Sequence, residues 1–164
     1  MLVTFFSEEK ILLVKKISNG YTQLHIDATG GVVPKFFGKQ VFLYSVVSSS
    51  NISNEPCIPA LEFLSSSHTG HCIGDVLFSW KNIFTTIAGK VHVLVSDFSF
   101  AILNGASMAM NGFTLIQQIN KQWRCLTDDE DYDFTVLRLC VSHYINNVCR
   151  IVSKLKLEKQ VSHY

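Results

Sequence analysis

The sequence predicts an α/β domain: a mixed sheet in which three antiparallel strands precede parallel ones, flanked by helices. Three observations predict it. Residues 21–64 fall into three β-prone segments separated by Gly-rich and Ser/Asn-rich breaks. From residue 73 onward, apolar stripes at helical spacing alternate with short strand-like segments. Among these, Val91-His-Val-Leu-Val-Ser-Asp97 is almost continuously apolar, as suits a parallel strand covered on both faces. Hydrophobic residues make up 48% of the 164, enough for a packed core and against a disordered chain.

The elements read as follows. Ser7 caps a short helix that carries Glu8 and Glu9 at its positive end and stops at Asn19-Gly20. Residues 1–20 are therefore expected as a helical lead-in. Tyr21–Ala28 is a strand, with Leu24 and Ile26 alternating with His25 and Asp27, and Thr29-Gly30-Gly31 breaks it. Gln40–Val47 is a second strand, rich in Val, Phe and Tyr. Residues 48–54 are a loop, and Ala60–Leu64 is a shorter third strand. Ile73, Val76, Leu77, Trp80, Ile83, Phe84 and Ile87 then form one helical stripe, capped at Thr69 and stopped at Gly89. The Val-rich strand ends at Asp97. A helix over 99–110 follows, and a second helix starts at Thr114. Residues 127–133 are an acidic loop, Phe134–Cys140 a fifth strand and Tyr144–Leu157 a closing amphipathic helix. The order β-β-β-α-β-α-β-α is that of the ribonuclease-H-like fold. Residues 21–164 are expected to form such a core, in part.

Composition narrows the function classes. The net charge is +1, so no strong basic field points to nucleic acid. Charged residues are 16%, below the roughly 25% of ordinary domains, which leaves more apolar surface for a partner. Five cysteines in no framework spacing read as reduced thiols. The N-terminus lacks the features of a secretory signal, and no apolar run is long enough to span a bilayer. The expected setting is nuclear or otherwise intracellular, without a membrane.

Two aspartates stand where aspartate is scarce: Asp27 within a strand and Asp97 at the end of a buried one. If those strands are neighbours, their backbones lie about 4.8 Å apart and the carboxylates meet at one end of the sheet. Paired carboxylates repel, and a divalent cation relieves this. Mg²⁺ suits them because it prefers oxygen ligands, and two such ions can hold both oxygens of a phosphodiester displacement. An Asp closing a strand is also an ordinary turn or helix cap, so both readings stand.

Five segments together carry a resemblance. They are His25-Ile-Asp-Ala-Thr-Gly-Gly, Val41-Phe-Leu-Tyr-Ser, Glu62-Phe-Leu-Ser-Ser-Ser-His-Thr, Val95-Ser-Asp-Phe-Ser-Phe-Ala and Leu139-Cys-Val-Ser-His-Tyr. In order and spacing they resemble a Mutator-like transposase and, more broadly, transposases with a DDE catalytic core. The resemblance implies metal-dependent cleavage and joining of DNA at transposon ends, with Mg²⁺ or Mn²⁺. It places the first two catalytic, metal-binding acids on Asp27 and Asp97, and a Cys-x-x-His pair near the site on Cys140 and His143. The third acid of such cores lies in a helix well downstream of that pair. This chain ends at Tyr164 and offers only Glu158 after His143, in a Lys-rich segment that matches no motif. The expectation is a C-terminally truncated core, incomplete and of low activity. Its partners would be DNA, a second copy or absent transposase segments. The alternative is a non-enzymatic, transposase-derived module that binds protein or DNA.

The remaining candidates have plainer readings. Cys140 and His143 supply two of the four ligands of a zinc site, and neither Cys125 nor Cys149 is selected by spacing, so zinc is not expected. A small metal module built on that pair is the weakest hypothesis. His68 and His71 flank a helix cap. The acidic run from Asp128 to Asp133 lacks the glycine and terminal glutamate of a calcium loop. Arg150, Lys154, Lys156 and Lys159 read as a solvated helix face. Phe36 and Phe37 are read as core or contact residues before a base-stacking pair.

Overall fold

The computed structural model describes residues 1–48, 57–128 and 133–161, with the side chains of the last helix described as far as residue 153. The elements are β1 (Leu2–Phe5), α1 (Glu8–Ser18), β2 (Thr22–Gly30), β3 (Phe42–Ser48), β4 (Ile58–Ser65), α2 (Gly70–Ala88), β5 (Val91–Ser96), α3 (Phe100–Asn111), α4 (Leu115–Thr127), β6 (Val136–Leu139) and α5 (Val141–Val161). Of the loop predicted over 48–54, Ser48 instead closes β3; its remaining positions 49–54 and acidic positions 129–131 lie outside the described residues, as do the side chains of Lys154, Lys156, Glu158 and Lys159.

The sheet has six strands in the order β1-β4-β3-β2-β5-β6. β2, β3 and β4 form the antiparallel meander, while β5 and β6 run parallel to β2. This is the ribonuclease-H-like arrangement the sequence predicts. It differs at the start of the chain. Residues 1–20 are more than a helical lead-in, because Leu2–Phe5 pairs antiparallel with β4 and extends the sheet. All four β1 residues are exposed, so no alternation marked them as a strand. Their structure comes from the edge of β4.

One face of the sheet carries the core. Leu24, Ile26, Tyr44, Val46, Leu61 and Phe63 pack with Ile11 and Val14 of α1, with the α2 stripe and with Ile102, Ala106 and Met110 of α3. The helices start where the sequence supplies caps. Ser7, Thr69, Ser99 and Thr114 each accept a backbone N–H from the first turn, and Thr114 pairs with Gln117 in a full capping box. α2 and α3 meet closely through Gly70, Gly74 and Gly105.

α4 sits against the outer edge of β6 in an unusual way. Its inward residues are amides. Gln118 is buried and donates to the Thr135 carbonyl, and Gln122 both donates to and accepts from the Leu137 backbone. Its apolar residues Ile116, Ile119, Trp123 and Leu126 face solvent. No helix among the described residues is long and apolar enough to cross a membrane.

Candidate active site

The parallel register makes the strands that carry the predicted acids neighbours. Ile26 of β2 is the partner of Ser96 in β5, and Ser96 is the partner of Leu139 in β6. Asp27, Asp97 and Cys140 each follow one of these in sequence, so they belong to the same end of three adjacent strands. Ile26 and Ser96 are buried on the core side. Alternation along a strand therefore turns Asp27 to the opposite face, where it is exposed. The site lies at the carboxyl ends of parallel strands, where α/β sheets hold their ligands.

The two carboxylates differ in surroundings. One oxygen of Asp27 accepts the N–H of Ala28 at 2.8 Å. Asp97 Oδ1 is buried and has no hydrogen-bond partner. A desolvated carboxylate oxygen without a donor is costly, and a bound cation relieves that cost. Among the described residues, the two buried side-chain polar atoms left unpaired are Asp97 Oδ1 and His143 Nδ1. His143 lies in the first turn of α5. Just before it, the Cys140 N–H donates to the Ser96 carbonyl at 2.7 Å, tying the start of that helix to the Asp97 strand. Unpaired buried groups cluster at functional sites, and both belong to residues named from the sequence.

Two residues on this face were not singled out from the sequence. Asp27 is the register partner of Ser45, and Ser45 of Glu62, so the three share one cross-strand row and one face. The available signal was a glutamate between the buried Leu61 and Phe63. His25 lies one pair earlier on the same face, in register with Val47 and Val95. Burial pushes its pKa below the ordinary histidine value. Among the described residues, no group of three or more His, Cys, Asp or Glu lies close enough to hold a metal. What the strand ends carry is two carboxylates, the donor type that suits a hard cation keeping several waters.

The other candidates go elsewhere. His68 Nδ1 hydrogen-bonds the Tyr44 hydroxyl at 2.6 Å, its ring stacks on Phe42, and its Nε2 reaches Ser99 Oγ at 3.4 Å. His71 instead faces Asp75 on an exposed helix surface. The two histidines thus have different side-chain partners. Burial, with a smaller contribution from the nearby Cys72, pushes the Tyr44 phenol up to about 12. Phe36 and Phe37 form an edge-to-face pair at a turn, and Phe37 is 90% exposed with φ 47°. This corrects the core reading for Phe37: the turn from Phe36 to Lys39 carries it out into solvent. Beside the end of β5, Phe98, Phe100, Leu103, Leu115, Ile119 and Leu139 help line an apolar cavity of about 300 Å³.

The chain is similar to the 120.7 kDa protein in NOF-FB transposable element of Drosophila melanogaster. The two are 32% identical over 149 residues, which is 86% of this chain and 13% of that protein. The similarity relates the chain to a transposable-element protein. The chain spans about an eighth of the length of the relative it matches. No protein-family model matches the chain, and no solved structure does.

Proposed function

We propose that the chain is part of the catalytic core of a Mutator-like, DDE-type transposase, with Asp27 and Asp97 as the first two acids. The observation that carries this reading is the buried, unpaired Oδ1 of Asp97, in the residue beside Asp27 across the parallel β2–β5 pair. Asp27 and Asp97 would hold Mg²⁺ or Mn²⁺. When bound, the cation would neutralise charge that develops on phosphodiester oxygens. The strand ends fix the two carboxylates on a rigid sheet, which gives the positioning that phosphoryl transfer requires. Ala28 N–H orients Asp27 through its 2.8 Å contact. The Cys140 N–H holds the start of α5, which carries His143, on the Ser96 carbonyl, next in sequence to Asp97. The substrate is DNA at transposable-element ends. The reaction is in-line displacement at phosphorus by water or a 3′-hydroxyl. Such a substrate implies a nuclear setting.

The described residues supply two of the three acids of such a core, and these two favour cation binding over fast turnover. The test is thermal unfolding with and without millimolar Mn²⁺. At about 100 times the dissociation constant an ion adds about 2.7 kcal/mol, equal to a rise of roughly 5–11 °C in a domain of this size. The rise is expected for the parent chain and lost in both Asp27→Asn and Asp97→Asn. Without metal, Asp97→Asn is expected to melt no lower than the parent, because it removes a buried charge. No rise in the parent, or an equal rise in the variants, rejects the site.

A further inference from the structure

The connection between β2 and β3 closes in a tight turn. Phe36 N–H donates to the Lys39 carbonyl at 2.9 Å, and Lys39 N–H donates to the Phe36 carbonyl at 3.0 Å. Phe37 and Gly38 are the two central residues, and both have positive φ, 47° and 75°. That is the type I′ pattern, in which the first central position is ordinarily Asn, Asp or Gly. A bulky aromatic residue there is strained. The fold gains nothing from the strain, because Phe37 is 90% exposed. Its ring meets Phe36 edge to face at 4.6 Å, and Phe36 is itself exposed. Lys35 and Lys39 flank the pair. Both are exposed, and neither forms an ion pair among the described residues. Residues 28–48 hold these two lysines and no aspartate or glutamate, so the tip is positive in a chain of net charge +1.

We propose that this tip is a DNA contact, with the Phe37 ring stacked on an unpaired base and Lys35 and Lys39 on the flanking phosphates. An exposed ring between two cations fits a nucleic acid, whose bases offer flat π-faces and whose backbone is anionic. A purely apolar protein surface would leave both ammonium groups unmatched. The place in the fold agrees. The hairpin closes at the end of the sheet where β2 carries Asp27 and β5 leads to Asp97. The tight turn and the contact with Phe36 restrict the Phe37 ring in advance, which lowers the entropy cost of stacking. The inference rests on DNA being the substrate, and not on a cation at Asp27 and Asp97.

Fluorescence anisotropy with a labelled oligothymidylate, in EDTA, measures this contact. Phe37→Asn is the deciding variant, because asparagine suits the turn. It is expected to melt no lower than the parent and to bind at least about fivefold more weakly. A ring that merely held the hairpin together would lose stability and affinity in step. Phe37→Tyr keeps the ring and should bind as the parent does. Replacing both lysines, Lys35→Gln with Lys39→Gln, should reduce the slope of log affinity against log salt by about 1.4, the value for two phosphates of a single strand. If the parent binds and Phe37→Asn binds equally well, this proposal fails while the DNA reading stands. No binding by the parent overturns both. A Phe37→Asn chain that melts well below the parent also overturns the proposal, since the ring then belongs to the fold. So does parent self-association that Phe37→Asn abolishes without changing DNA affinity, which assigns the tip to a protein contact.

Discussion

Asn111 donates to the Thr135 carbonyl and accepts the Thr135 N–H, and Gln122 makes the same two-way contact with Leu137. Gln118 lies between them, accepting from Asn111 and donating to Gln122 and to the Thr135 carbonyl. Together these amides occupy the free edge of β6 as a neighbouring strand would, which blocks pairing there with another chain. Gln118 is 1% exposed, so its partners have little access to water if it is removed. Gln118→Ala is expected to cost about 1–3 kcal/mol, the usual penalty for stranded buried polar groups. Chemical denaturation measures the loss, and amide exchange at Leu137 should quicken with it. A variant as stable as the parent would show that the amides merely fill space. At this scale the sequence is an uneven guide. Asp27 and Asp97 were visible because a charged residue interrupts a β-prone run. Gln118 was not, because its burial depends on an edge strand far along the chain.

Among the elements, the tightest junction is the crossing of α2 and α3. A Cβ on Gly105 would lie 2.7 Å from the Gly70 carbonyl oxygen and 2.9 Å from the Gly74 nitrogen. Both are backbone atoms, so no side chain can swing aside. Gly105→Ala must push the two helices apart, although alanine favours a helix by up to about 1 kcal/mol over glycine. The expected net cost is about 1–3 kcal/mol, the range for overpacking. A gain in melting temperature would mean that the helices are not held at this separation. The α2 stripe was legible because all its buried members repeat at three and four. Its partner was not, since a glycine contact leaves no periodic trace. α4 carries the opposite lesson. Helical periodicity marks an apolar face but not where that face points. Here the edge of β6 claims the polar side and leaves the apolar side outward.

For the whole molecule, the fold class followed from the order of elements, and β2 and β5, the strands leading to Asp27 and Asp97, are neighbours as that fold requires. The place of the first twenty residues did not. β1 is four residues long with every side chain exposed, and its structure rests on pairing with β4 some sixty residues later. α1 binds more firmly. Ile11 and Val14 are fully buried in the common core, and Lys15 Nζ donates to the Ile87 carbonyl at the end of α2. Burying two such side chains contributes about 3–6 kcal/mol, a large part of the roughly 5–15 kcal/mol that holds a domain together. A chain starting at Tyr21 is therefore expected to lose cooperative unfolding, or to unfold at much lower urea concentration. Its exposed α2 and β4 surfaces should bind a hydrophobic dye. If that shortened chain instead melts within a few degrees of the parent, residues 1–20 are an appendage, and the sheet from β2 onward folds by itself.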